Sequence, residues 1–586
     1  MVLTVAINAT VFTVSQAQTN SWIGRSDGKW ERERHWDDGL PSIKQSAVII
    51  SNVNSKVVTI DRHTARNFPD SLTISNLSVF SPSGSTNTLF LDNTGTVALH
   101  ILNGLTIGIN PNEPFDEGVA ELISSNSTLI VDGLLGGQVL DDSTMIITDG
   151  SLIATNCSLL VGGFFDDTIG FLLISNAVAK ARDVTVASGS HSGGTIEIIG
   201  GTMSLSSSLT VGGGLDSSQG NMLVANGGLL VVTNGGTGIG GADQGFGNLT
   251  VSNGTFFAAG IGLGGKKSGG ALTINNGTVI LTGDLGIGGG EQGSGSVSLN
   301  GGMLVVTNGA TFMGMINPSG GSMAVSDGLF LARDVYVGAF EAGGTLFIDG
   351  GISILSSNLE IGALNSGATV SITGGQLFVT NAPIVVDAYA QCIVSGGQLA
   401  ARTIELNGFS GGELVIDGGS VTVSEGITLG DCNGGFDVGY ASVDGGQLIV
   451  TNAAHTGFID VRSGELTLDG GILQVDKLVM TNTCGSFIHT GGTLIVGSVI
   501  LDPNAFRITS VAREGNDLRI TWLMAPGQTN ALQASSGGTH GDCTTNGFTD
   551  IFIVTNNATP GVLTNYLDIG GATNKPSRFY RARLAP

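Results

Sequence analysis

Three sets of residues in this chain have the types and spacing to do chemistry. Asp141-Asp142 and Asp166-Asp167 are paired carboxylates, the groups that bind calcium or act as acid and base on a glycosidic bond. They lie about one repeat of ~24 residues apart, so four acids could converge there, although loop acids are usually just solvated. Arg182-Asp183 and Arg333-Asp334 occur in two Ala-Arg-Asp-Val copies, and an arginine base beside a carboxylate suits cleavage of acidic polysaccharides. Trp22, Trp30 and Trp36, with His35, Asp37 and Asp38, fall within residues 21–42. Their aromatic faces could stack on pyranose rings, or the segment could cover the open first coil of a repeat array. His35, His191, His455 and His489 show no zinc spacing, and neither a G-x-S-x-G elbow nor a Walker loop is present, so no metal or cofactor is expected.

Whatever positions these residues must be a repeat. The sequence reads NGGLLVVTNGG at 226–236, NGGMLVVTNGA at 300–310, TGGQLFVTNAP at 373–383 and DGGQLIVTNAA at 444–454. Between Asp149 and Thr490 the glycine doublet returns about every 24 residues, a period typical of solenoids. That length holds three strands of about 5 residues and three tight corners, one turn of a parallel β-helix, right-handed because parallel crossovers are. Before the doublet, apolar residues alternate strictly, as in Leu249 and Val251, Leu272 and Ile274, Leu414 and Ile416. After it a second set does the same, as in Leu230 and Val232 or Leu448 and Val450. Period two means one buried face, so stacked coils should pile these residues into aliphatic columns.

The third strand carries an Ile-Gly or Leu-Gly signature, as at 237–241 and 285–290, followed by a loop of varying length and charge. That corner should protrude. Asn234, Asn308, Asn381 and Asn452 share one register and read as turn residues tolerant of left-handed backbone. The Arg-Asp copies fall about six coils apart, about 29 Å at ~4.8 Å per coil. They therefore read as separate surface ion pairs, and the chain as non-enzymatic.

Composition agrees with a solenoid. Glycine supplies 95 of 586 residues, well above the usual ~7% and without collagen's period. The formal charge of −24 argues against nucleic-acid or anionic-membrane partners, which need clustered Lys and Arg. No apolar run is long enough for a transmembrane helix. The five cysteines, Cys157, Cys392, Cys432, Cys484 and Cys543, lack metal spacing. Cys432 and Cys484 fall two coils apart, about 10 Å, beyond the ~7 Å between Cα atoms that a disulfide tolerates; all five are expected as lone thiols.

Four segments follow. Residues 1–20 end a small-x-small pattern at Ser15-Gln16-Ala17, like a truncated secretory signal. Residues 21–44 form a tryptophan-rich cap, 45–505 the parallel β-helix, and 506–586 a small β-sandwich of six or seven alternating strands. Arg507, Arg513, Arg519, Arg578, Arg581 and Arg583 could dock that basic module on the acidic array, where it would cover the last coil near Leu494 to Leu501 and suppress end-to-end self-association.

On these NGG-x-L-x-VTN and x-IGG signatures, residues 120–500 resemble the type V secretion and PEP-CTERM-associated repeats of bacterial surface proteins, which are similar to autotransporter passengers. Trp22, Gly24, Gly28, Trp30, Trp36, Gly39 and Pro41 resemble the N-terminal segment of those proteins, and residues 506–586 resemble fibronectin-like terminal modules. The resemblance implies an exported, adhesin-like or structural protein at the outer surface of a bacterium, with a surface glycan or another surface protein as partner. The alternative is a β-helix that binds or cleaves polysaccharide.

Overall fold

The computed structural model describes residues 18–108, 118–133, 136–163, 167–241, 244–316, 319–339, 342–363, 366–432, 437–482, 484–501, 507–524, 529–536, 547–556, 562–573 and 577–584. Strands make up 64% and helices 3%, and parallel strands stack into a β-solenoid of about 18 turns. By its contacts the chain divides into two units. One runs to Ala382 and includes Ala390–Ala400; the other comprises Pro383–Tyr389 and Ala401–Pro586.

In the first unit, the coils between 193 and 287 show how the repeat builds the core. Strands Gly193–Ile199, Gln219–Ala225, Phe246–Ser252 and Gly269–Asn275 pair in parallel, aligning Ile196, Met222, Leu249 and Leu272. The second strands align Met203, Leu230, Phe256 and Val279, and the third align Val211, Ile239, Leu263 and Ile287. All twelve side chains are buried, each contributing about 1.5–3 kcal/mol of transfer free energy. The expected columns are present. The corner between first and second strands is turned by Asn226, Asn253 and Asn276 with φ of 52°, 52° and 54°, a left-handed conformation that asparagine tolerates. The Thr-Asn asparagines act differently: Asn234 Nδ2 donates to Ser206 O at 3.2 Å, on the coil below.

The tryptophan segment is itself part of the stack. Thr19–Ser21 pairs with Ala47–Ile49, and Gly28–Lys29 with Val58–Thr59. Trp22, Trp30 and Trp36 are 2%, 0% and 3% exposed and pack edge to face, with Trp36 5.1 Å from Trp22 and 4.9 Å from Trp30. Trp30 Nε1 donates to Ser71 O and Trp36 Nε1 to Trp30 O. The signature glycines make room for the rings: a Cβ on Gly24 would lie 2.8 Å from Trp22, and one on Gly28 2.8 Å from His35. Nearby, the short helix Arg62–Asn67 is capped by Asp61, which accepts from the backbone of His63 and Thr64 and pairs with Lys29 Nζ at 2.7 Å.

In the second unit coils of the same kind align Leu414, Ala441, Leu466 and Phe487. Cys432 and Cys484 are joined in a disulfide, with Cα atoms 6.2 Å apart, which corrects the expectation of lone thiols. Counting coils treats every corner alike. Here the intervening corner is the single residue Arg462, between strands Phe458–Val461 and Ser463–Leu468, so the larger corner carrying Cys432 reaches past it. Cys157 and Cys392 are buried thiols; Cys543 lies outside the described residues. In the last coil Ile488, Ile495, Val499 and Ile500 are 39–49% exposed, which differs from the expected cover over Leu494–Leu501.

After the solenoid come two three-stranded antiparallel sheets. One orders Arg507–Glu514, Asp517–Met524 and Val562–Asp568; the other places Thr529–Ser535 between Thr549–Thr555 and Phe579–Leu584. They share a core of Ile520, Trp522, Met524 and Leu532, with Phe552, Tyr566 and Tyr580 packed against it, a β-sandwich of six described strands. Its arginines have local partners: Arg519 pairs with Glu514, Arg578 with Asp568 and Arg583 with Asp550, while Arg581 lies 4.3 Å over the Phe548 ring. These internal pairs offset much of the basic excess that docking on the acidic array would use.

Candidate functional site

A sugar needs an open aromatic face to stack on, and the buried rings of Trp22, Trp30 and Trp36 offer none. The expected carbohydrate contact is corrected to an interior tryptophan stack. Hydrophobic burial of three large rings outweighs their exposure as a platform.

The acidic loops are likewise built by turn chemistry. Asp141 and Asp142 are consecutive left-handed residues, φ 55° and 56°, and Asp167 is a third at 65°. The Asp141 carbonyl accepts from Ser143 Oγ at 3.1 Å, while Asp142 and Asp167 are exposed; Asp166 lies outside the described residues. Among the described residues no group of three or more His, Cys, Asp or Glu is arranged to hold a metal. Each Arg-Asp copy is a local pair: Arg182 Nε meets Asp183 at 2.7 Å, and Arg333 Nε meets Asp334 at 2.6 Å. Burial alone would raise the Asp334 carboxyl, but Ser357, Arg333 and the Asn358 N–H together hold it below its ordinary range.

The corner after the third strand carries the loops of varying length, and paired glycines close their mouths. Gly240, Gly264, Gly288 and Gly314 have φ of 70–73°. A Cβ on each would lie 2.0–2.2 Å from a carbonyl oxygen of the next coil. At the far end of each loop, a Cβ on Gly247, Gly270 or Gly295 would lie 2.3–2.5 Å from the amide nitrogen of Gly240, Gly264 or Gly288. Both ends of each loop thus meet without side chains. The same clasp closes 241–246, 265–269 and 289–294, so loop composition can change without disturbing register.

Among the depressions on the solenoid surface, one in each unit has a distinctive lining. In the first unit a trough of about 540 Å³ crosses five coils, with a floor of Gly269, Gly320 and Gly343 and hydroxyls of Ser296, Ser322 and Thr345. Among the described residues its lining carries no charged side chain. Phe246, 55% exposed, lies over Gly269, where a Cβ would come within 2.6 Å of the ring. In the second unit a groove of about 490 Å³ is lined by Asp387, Glu405, Asp431, Asp437 and Arg462. Arg462 Nε donates to Asp460 at 2.7 Å, and Asp437 accepts from the Gly408 N–H at 3.0 Å. Neither depression is legible in the sequence, because each is assembled from a few residues on each of several coils. The available signals were the lone Phe246 in a Gly-Ser column and the aspartates flanking Cys432.

The trough can present a ring face and a row of hydroxyls to a neutral ligand; the groove presents carboxylates around one guanidinium. No helix is long and apolar enough to cross a membrane among the described residues. No protein-family model, no curated protein and no solved structure matches this chain.

Proposed function

We propose that this chain is an exported, non-enzymatic β-solenoid that displays variable loops at a bacterial surface, as an adhesin-like or structural protein related to type V secretion and PEP-CTERM-associated repeat proteins. The observation that carries this reading is the glycine clasp: one backbone geometry at Gly240, Gly264 and Gly288 supports loops of different length and charge. Such a scaffold separates core stability from loop identity, as a display surface requires. Export is supported by the Cys432–Cys484 disulfide, because such bonds persist in oxidising compartments. The partner is a surface glycan or another surface protein, met by the loops. Fractionation of the producing cells with protease shaving tests the reading: the chain is expected on the outer surface and cleaved at the loop corners. A chain found protected in the cytosol overturns it.

A second reading, a polysaccharide-binding β-helix, is favoured by the uncharged trough with Phe246 at one end. Retention on insoluble chitin without product release, lost in Phe246→Ala, supports binding. Product release from pectin, alginate or chitin supports cleavage.

A further inference from the structure

The last coil of the solenoid is the least protected. Two coils below, the inward-facing Val443 and Leu448 are fully buried, as are Leu466, Leu468 and Leu473 of the coil between. On the last coil the inward-facing Phe487 and Leu494 are only half-buried, and Val499 is 45% exposed. Ile488, Ile495 and Ile500, on its three sides, are 39%, 49% and 42% exposed. A coil with neighbours on one side only opens locally at lower free energy than the interior of the stack.

The disulfide meets this coil at its first residue. Cys484 begins strand Cys484–His489 and pairs in register with Ser463. Ser463 stands directly over the corner at Gly430, where a Cβ would lie 2.5 Å from the Ser463 carbonyl oxygen. Cys432, two residues past Gly430, crosses the Ser463 coil and bonds Cys484, closing a sequence separation of 52 residues. The other two described cysteines cannot exchange with it. Cys157 and Cys392 point into the core, where burial pushes their thiols up to about 11 and about 12.

We infer that the Cys432–Cys484 disulfide is a redox-dependent clamp that holds the last coils of the solenoid closed and releases them on reduction by a dithiol. In that step the S–S bond breaks, each cysteine sulfur gains one electron and one proton, and the dithiol closes to a cyclic disulfide. Opening is confined to the coils the bond spans, because the rest of the stack is held by its own columns.

Full-length protein from an oxidising compartment, studied by peptide mapping and hydrogen exchange with and without dithiothreitol, tests the clamp. Without reductant, iodoacetamide should leave Cys432 and Cys484 unmodified and a linked peptide should be recovered. On reduction, exchange in 463–482 and 484–500 should accelerate at least about tenfold, while 219–241 and 244–300 stay unchanged. The double variant Cys432→Ser/Cys484→Ser should exchange like the reduced protein and ignore the reductant. The clamp is overturned if both cysteines alkylate without reductant, if reduction leaves the last coils unchanged, or if it accelerates exchange uniformly along the stack.

Discussion

A Cβ on Gly240 would lie 2.0 Å from the carbonyl oxygen of Gly269 on the next coil. The position also has a φ of +70°, so glycine is required there for space and for conformation together. Gly264 is the same position one coil on, 2.1 Å from Ser294 O. Gly264→Ala should therefore cost about 2–4 kcal/mol, combining left-handed strain with forced separation of two coils. Gly262, two residues earlier, faces open space, and Gly262→Ala should be neutral or slightly stabilising. Chemical unfolding of the two variants checks the contrast; equal losses would show that the close approach at Gly264 is not what requires glycine there.

The aliphatic columns make a second contrast. Leu414 is fully buried between Ala441 and its other neighbours, so Leu414→Asp should cost several kcal/mol, about 3 or more, and open adjacent coils. Lys266 is exposed and 4.0 Å from Glu291; Lys266→Asp should change stability by about 0.5 kcal/mol or less. Melting temperatures report both.

Thr311 interrupts a column from within. It stacks between Leu285 and Val335, is fully buried, and its hydroxyl has no hydrogen-bond partner among the described residues. Thr311→Val keeps the shape and removes the unsatisfied oxygen, so it should raise stability by about 1–2 kcal/mol. A loss of stability in equilibrium unfolding would mean that the hydroxyl has a partner.

Asp61 should make the start of the stack acid-sensitive. Burial alone would raise its carboxyl, but the Lys29 hydrogen bond, the Thr64 and His63 N–H groups and the Lys29 charge bring it down to about 2. A depressed carboxylate contributes stability that is complete above its unfolded value near 3.9 and is lost as pH falls through about 2. The half-exposed Lys29 screens the pair, leaving about 1–2 kcal/mol. The stability difference between the native chain and Asp61→Asn, which retains a capping side chain, should be constant above about pH 5 and shrink between about pH 4 and pH 2.

The coil, its three strands and the inward residues of each were determined by the sequence alone. Alternation and turn chemistry are local: Leu249 and Val251 declare a buried face, and Asn253-Gly254 declares the corner, whatever lies above or below. The sandwich was legible for the same reason. Tertiary structure decided what depends on neighbours one or two coils away, where corners of unequal size displace residues from their counted positions. It buried Trp22, Trp30 and Trp36 in one stack, where spacing alone allowed a sugar-binding face. It brought Cys432 to Cys484 because Arg462 is a one-residue corner between them. It assembled the trough beside Phe246 and the acidic groove around Arg462 from side chains that no single repeat contains. A repeat specifies which way each side chain points, whereas partners across coils depend on how every intervening corner is built.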